Sequence, residues 1–395
     1  MPGPPGSAFA RSHAMDGAPP SSNASRTRSR GLPGVGLPDG ACPLDHLRGV
    51  VERLTPTWGE RRPLLLTHKS PDPDALGALA GLDLLLREVF HLQPDIATSG
   101  RILRAENQTM VRELGLSFLD YDEADFTQHA GVFLVDTQPG FGHTPLPDSV
   151  PVVAVFDHHE PPSMETLRSR PLPPHYDLRL GVGATSAMMY EYLRDAKVEL
   201  DPATATAISC GVRFDTADLS MDVTALDAEA YYECFRNADR RMLARITRPP
   251  LPPSYYKELH RSLSRARRHG PLVYGLLGRV KNPESVAEMA DFFLRMEGCR
   301  FSLVGGAYGD TYHLSVRTDH AFGDAYPLLE VVVDGEGSFG GRGPVAGGQI
   351  PLESADDTTL QRLERKLRSR ALTLVPKDEV GGSDPRSGTR LTRLP

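Results

Sequence analysis

Three short apolar runs in this chain lead straight into acids or imidazoles, and a helical segment does the same. The first run, Pro63–Leu66, opens onto Thr67-His68-Lys69-Ser70-Pro71-Asp72-Pro73-Asp74-Ala75-Leu76-Gly77. The second, Gly131–Val135, is closed by Asp136, and the third, Val152–Phe156, by Asp157-His158-His159. Runs this short, apolar throughout and rich in β-branched and aromatic residues, suit strands buried on both faces. Parallel strands end at one edge of a sheet, where ligands bind in α/β proteins. The fourth acid, Asp215, comes after an Ala/Ile-rich stretch, Ala203–Val212, which reads as a helix with Asp215 just beyond its end. The pattern predicts an α/β fold with a parallel sheet whose terminal acids converge.

Taken singly, these residues have plainer readings. Asp74 suits a helix N-cap, His158 a satisfied buried histidine and Asp215 a turn. Taken jointly, His68, Asp72, Asp74, Asp136, His158 and Asp215 form a mixed nitrogen and oxygen donor set. It suits two divalent ions of the manganese class, with cobalt or magnesium as alternatives, better than a cysteine-rich structural zinc site. Two such ions about 3.5–4 Å apart clamp the attacking and leaving oxygens of a phosphoryl displacement. Asp136 is the natural bridging carboxylate, and His159 a hydrogen-bond donor to a phosphoryl or leaving oxygen.

As a set, HKSPDPDALG, VDTQP, DHH and FDTAD resemble the four motifs of the DHH phosphoesterase superfamily over roughly residues 60–345. The resemblance implies that His68, Asp72 and Asp136 hold one metal. It implies that Asp74, Asp136, His158 and Asp215 hold the other. Asp157 would orient the His158 ring, and His159 would contact the substrate phosphate. Gly183–Glu191 looks like the helix start that the family places between its third and fourth motifs.

The C-terminal part predicts a smaller α/β domain with a mixed sheet. Leu272–Leu277 reads as a strand, Pro283–Met296 as a helix capped by Asn282, and Phe301–Ala307 with Tyr312–Val316 as a hairpin. Gly335–Gln349 reads as a glycine loop whose bare backbone can approach a phosphate or base. It resembles the glycine motif of the DHH-associated substrate domain. That resemblance implies substrate contacts from Gly340, Gly341, Gly347, Gly348 and the phosphate-binding Arg317. Arg342 stands where the family has histidine, keeping anion affinity but not acid–base capacity.

The expected organisation is a disordered extension over 1–42 and a DHH domain over 43–246. A proline-rich linker over 247–254, a substrate domain over 255–377 and a loose tail over 378–395 follow. The function so implied is a metal-dependent phosphoesterase acting on short single-stranded oligonucleotides or small nucleotides, of the nanoRNase and pAp phosphatase type. An exopolyphosphatase-like activity and a non-catalytic nucleotide sensor are the alternatives. Net charge of −7 does not suit a general nucleic-acid binder, although Asp239–Arg248 and Arg261–His269 are each locally basic. No apolar run reaches membrane-span length, so no membrane partner is expected, and a homodimer is left open. The four cysteines, without CxxC spacing, read as reduced thiols in the cytoplasm.

Overall fold

The structure is a computed structural model. It describes residues 36–38, 40–144, 146–147, 149–161, 172–319, 321–354, 356–376, 379–380 and 388–391 of the 395-residue chain. Most of the extension expected over 1–42 lies outside these residues, as does most of the tail expected over 378–395.

The first sheet contains β1 (Arg62–Leu66), β2 (Asp95–Ala97), β3 (Phe118–Leu119), β4 (His129–Val135), β5 (Val152–Asp157) and β6 (His175–Leu178). All neighbours are parallel, in the order β3-β2-β1-β4-β5-β6. The chain thus builds outward from β1 in one direction and from β4 in the other. The order reverses between β1 and β4, and the crevice at the carboxyl ends of such a pair is where open α/β sheets bind ligands.

The apolar runs become central strands because both faces are covered. Leu65, Phe133, Val135 and Phe156 pack into one cluster, and Leu64, Leu66, Val132, Leu134 and Val155 into another. Each of these fully buried side chains contributes about 1.5–3 kcal/mol of transfer free energy. The helices are α1 (Pro43–Leu54), α2 (Pro73–Phe90), α3 (Ala105–Leu114), α4 (Thr185–Asp195), α5 (Pro202–Asp215), α6 (Ala225–Asn237) and α7 (Arg240–Thr247). Asp215 is the last residue of α5 rather than a residue beyond it. Asp201 caps that helix by accepting from Ala203 N and Thr204 N, and its helical hydrogen bonding runs on through Arg213 and Phe214.

The segment expected as linker is partly helical. Thr247 ends α7, and Pro253 begins α8 (Pro253–Arg265), where proline's missing N–H is no loss. A second, mixed sheet follows, in the order β11-β12-β10-β9-β8-β7-β13. Its strands are β7 (Arg267–His269), β8 (Leu272–Arg279), β9 (Phe301–Tyr308), β10 (Thr311–Thr318), β11 (Ser338–Arg342), β12 (Val345–Pro351) and β13 (Thr389–Arg390). Only β8 and β9 pair in parallel. Helix α9 (Glu284–Leu294) packs Val286, Met289 and Phe293 on one face of this sheet. Helices α10 (Tyr326–Val333) and α11 (Asp357–Thr373) cover the other face through Leu329, Val333, Leu363 and Leu367.

Two expectations fail here. The tail is not wholly loose, because Thr389 and Arg390 pair with Arg268 and Arg267. The glycine loop is a β-hairpin, with Gly340 opposite Gly347 and Gly341 opposite Ala346. Glycine suits such tight pairing. A Cβ on Gly341 would run into Val345 O, and Gly343 takes φ 52° at the turn. Among the described residues, no helix is long and apolar enough to cross a membrane. Cys42, Cys210, Cys234 and Cys299 are all free.

Candidate metal centre

Each acid reaches the switch-point crevice for a local reason. Asp72 caps α2, its Oδ1 accepting from Asp74 N at 2.9 Å and Ala75 N at 3.0 Å. The cap is therefore Asp72 and not Asp74. Asp74, the second residue of α2, is fully buried and points across to α4. Its Oδ2 accepts from Thr185 N at 2.7 Å and its Oδ1 from Ser186 N at 2.8 Å. The stretch read as a helix start is thus the N-terminus that holds Asp74, where exposed N–H groups and the helix dipole favour a carboxylate. Asp136 follows β4 with φ 57°, a conformation that aspartate tolerates better than most residues. Its N–H donates to Phe156 O, and Thr185 Oγ1 donates to its Oδ1.

The six expected ligands meet in two groups. His68, Asp72 and Asp136 present donor atoms within 4.8 Å of one another, as do Asp74, His158 and Asp215. Asp136 faces both. Its Oδ2 lies 3.5 Å from His68 Nε2 and its Oδ1 3.8 Å from His158 Nε2. A third group joins Asp136 and His158 to His159.

His158 supplies the test of whether the residues fit a cation. Its Nδ1 lies 3.0 Å from Val182 O, so Nδ1–H donates there and the neutral ring turns a lone pair outward at Nε2. That buried atom has no hydrogen-bond partner among the described residues, although Asp215 Oδ2 stands 3.1 Å away. A lone pair facing carboxylates needs a proton or a metal ion.

The electrostatics show the same demand. Burial, then Asp215 and Asp136, push the Asp72 carboxyl up to about 6. Burial, then Asp136, hold Asp74 well above its ordinary value. Burial opposes charge on His68, yet Asp136 and Asp72 bring it up to about 9. Burial also opposes charge on His158, which Asp215 and Asp136 raise well above the imidazole range. Asp136 is held well below the usual carboxylate range: burial works against this, and His68, His159 and His158 outweigh it. Protons shared among these groups stand in for positive charge, and bound dications would replace them.

Asp157 does not orient the His158 ring. Its Oδ1 accepts the His158 backbone N–H at 2.8 Å and lies 2.8 Å from His159 Nδ1. Val182 O occupies the place beside His158 Nδ1, and Asp157 instead fixes the His159 ring. That ring's side chain is 43 % exposed, while Asp136 is 1 % exposed, so His159 is the imidazole open to the crevice. Its basicity rises to about 9, against the effect of burial, because Asp157 and Asp136 adjoin it.

Several residues at the site had no role assigned from the sequence, although Gln138 lies within VDTQP. Gln138 donates from Nε2 to Asp157 Oδ2 at 2.7 Å and to His159 O at 2.9 Å, and Tyr176 O–H donates to Gln138 Oε1. Phe141 meets His159 edge-on and stacks on His143, which meets His68 edge-on. Thr185 and Ser186 lay inside the quoted helix start, but nothing in the sequence showed their partner to be Asp74.

The residues expected to contact substrate lie on the second sheet. Arg317 lies on β10 with Nε 2.5 Å from Asp291 Oδ1 and Nη1 2.6 Å from Ser315 Oγ. It is a half-buried, paired guanidinium. Gly340, Gly341, Gly347 and Gly348 lie on paired strands, and Arg342 on β11 has a side chain outside the described structure. Burial and then Lys69, in the first motif, lower the basicity of His313 on β10.

No family model matches the chain. It is 28 % identical over 319 residues to an uncharacterized protein of Methanocaldococcus jannaschii, covering 79 % of this chain. The chain spans 64 % of the length of that relative. An exopolyphosphatase-related protein from Bacteroides fragilis is structurally similar, with TM-score 0.62 and 14 % identity over 83 % of this chain and 98 % of that one. RecJ from Thermus thermophilus in complex with Mn2+ gives TM-score 0.47 and 14 % identity over 86 % of this chain and 56 % of that one. The chain shares the fold of that Bacteroides fragilis protein, with a parallel-sheet domain followed by a second α/β domain, which is the architecture that the sequence resemblance implied.

Proposed function

We propose that this chain is a metal-dependent hydrolase of phosphodiester or phosphomonoester bonds in short oligonucleotides or small nucleotides. The observation that carries the reading is Asp136, one carboxylate oxygen turned to each of two donor groups. His68 and Asp72 with Asp136 would hold one ion, and Asp74, His158 and Asp215 with Asp136 the other. Oxygen and imidazole donors suit manganese, with cobalt or magnesium next. When bound, such a pair supplies Lewis-acid stabilisation of phosphoryl oxygens and acidifies water.

The chain's own residues do the rest. Asp157 anchors His159 Nδ1, leaving the opposite ring nitrogen to donate to a phosphoryl or leaving oxygen. Gln138 and Tyr176 hold Asp157 in that position. The helix N-terminus at Thr185 holds Asp74 through both oxygens and so orients this carboxylate.

Phosphoanhydride hydrolysis is the second reading. It is favoured by the shared fold of the Bacteroides fragilis protein, which is described as exopolyphosphatase-related. A hydrolysis panel with added manganese separates the two readings. It contains two-to-five-nucleotide RNA and DNA, pAp, cyclic di-AMP, pyrophosphate and short polyphosphate, each with a chelator control. Release of mononucleotides from short RNA, or of phosphate from pAp, is expected. Phosphate release from polyphosphate alone would establish the second reading. Two bound metals with no hydrolysis would overturn both and leave a nucleotide sensor.

A further inference from the structure

The locally basic segment Arg261–His269 is not used by the metal centre, and the fold divides it. Arg261 donates to Arg279 O and Arg268 to backbone carbonyls around Gly298. Arg265 and Arg267 turn instead into a cavity of about 510 Å³ beneath α11. Arg365 and Arg368 from α11 and Arg390 from β13 line the same cavity. Elements that bring ligands to the metal centre contribute nothing to this wall.

Among its described lining residues the five arginines face one carboxylate, Glu364, whose Oε1 already accepts from Gly278 N at 2.7 Å and Tyr312 O–H at 3.0 Å. Among the described residues, none of the five arginines has a carboxylate partner. The contrast lies on the same helix. Lys366 pairs with Glu336, and Arg370 with Asp334 and Glu336.

The like charges are also set against one another by the backbone. Arg390 stands directly opposite Arg267 in the antiparallel pair β7–β13, a placement that destabilises a sheet. Arg365 and Arg368 are neighbours three apart on α11. In a chain of net charge −7, such a concentration is relieved by a bound anion. Arginine forks match phosphate geometry, and five around one space exceed what a single phosphate engages.

We infer that this cavity is a second anion site, which binds a ligand carrying contiguous phosphoryl groups, such as a polyphosphate or the phosphate chain of a nucleotide. The test is calorimetric titration of the full-length chain stripped of metal with EDTA and then freed of the chelator, so that no bound metal draws anions to the acidic centre. Inorganic tripolyphosphate is expected to bind once per chain, with ATP similar and orthophosphate weaker by about tenfold or more. Tighter binding of ATP than of tripolyphosphate would identify a nucleotide as the source of the phosphates.

The double substitution Arg365→Ala/Arg368→Ala is expected to weaken tripolyphosphate by about tenfold or more, with an unchanged circular dichroism spectrum. Should that variant not fold, Arg390→Gln on the sheet edge is expected to weaken binding in the same direction. Asp136→Asn should leave it unchanged. The inference is overturned by any of four results: no tripolyphosphate binding at millimolar concentration, undiminished binding in folded arginine variants, loss of binding in Asp136→Asn, or stronger competition from a pentanucleotide of matched charge.

Discussion

At Asp136 the backbone takes a left-handed conformation directly after a central strand, and the side chain stands between two imidazoles. Such a conformation costs roughly 1–2 kcal/mol for a non-glycine residue. It recurs where the surrounding structure fixes a functional side chain. His159 sits beside it, exposed, anchored by Asp157 and aimed at the crevice. His159→Ala is therefore expected to keep its metal and to lower kcat by about 10²–10⁴-fold, the usual contribution of a positioned proton donor. Metal analysis beside steady-state kinetics checks this, and loss of metal in that variant would make His159 a ligand. Gln138→Leu should lower kcat in the same direction by a smaller factor, because it frees Asp157 without removing the imidazole.

The motif residues were legible because strand ends concentrate them: an acid after an apolar run has few places to go in a parallel sheet. Their partners were not. Asp74 and Thr185 are 111 residues apart, and no local pattern encodes that contact. Asp157 was paired with the wrong ring because sequence adjacency cannot say which of two neighbouring imidazoles turns back toward it.

Among the elements, α2, α4 and α5 carry Asp74, its N–H donors and Asp215, and they approach closely at glycines. A Cβ on Gly77 would stand 2.6 Å from Ala207 O, and one on Gly211 would run into Ser186 Oγ and reach 3.0 Å from Asp74 Oδ1. Gly211→Ala is expected to cost about 1–3 kcal/mol of stability, in the range of overpacked cores. It should weaken the Asp74, His158 and Asp215 group more than the other, which denaturant unfolding and metal titration would show together.

A second prediction at this scale concerns the attachment of α1 to β6. Tyr192 O–H donates to Asp177, so its oxygen accepts from His175 Nε2–H, and His175 Nδ1 then accepts from His46. Burial, and next to it His46 and Arg179 against Asp177, bring His175 down to about 3. The folded state therefore refuses a proton that the unfolded chain accepts near 6.5. Stability from the neutral ring is complete above that value and is lost as pH falls from about 6.5 toward 3. The Tm of the wild type should fall with acidification in this window, and His175→Gln should show a shallower slope from a lower start. Equal slopes would contradict the account.

The element types were read correctly where periodicity was strong, as in α5 and the β9–β10 hairpin. The glycine hairpin was read as a loop because glycine's composition signals freedom, while its register against β12 comes from tertiary pairing. Strand β13 was missed because two residues gain strand geometry only from β7.

For the molecule as a whole, the four carboxylates of the two donor groups, Asp72, Asp74, Asp136 and Asp215, are buried or half-buried together and oppose folding unless positive charge joins them. Manganese at about a hundredfold its Kd should stabilise the chain by about 2.7 kcal/mol per independent site. A Tm rise of several degrees, reversed by EDTA, is expected. An unchanged Tm would mean that the clusters are satisfied by protons alone.

The most direct measurement is electron paramagnetic resonance of the chain titrated with Mn(II). Two ions per chain with an exchange-coupled spectrum are predicted, and Asp136→Asn should abolish the coupling. A single ion, two uncoupled ions, or a coupled pair that survives Asp136→Asn would contradict an Asp136-bridged centre.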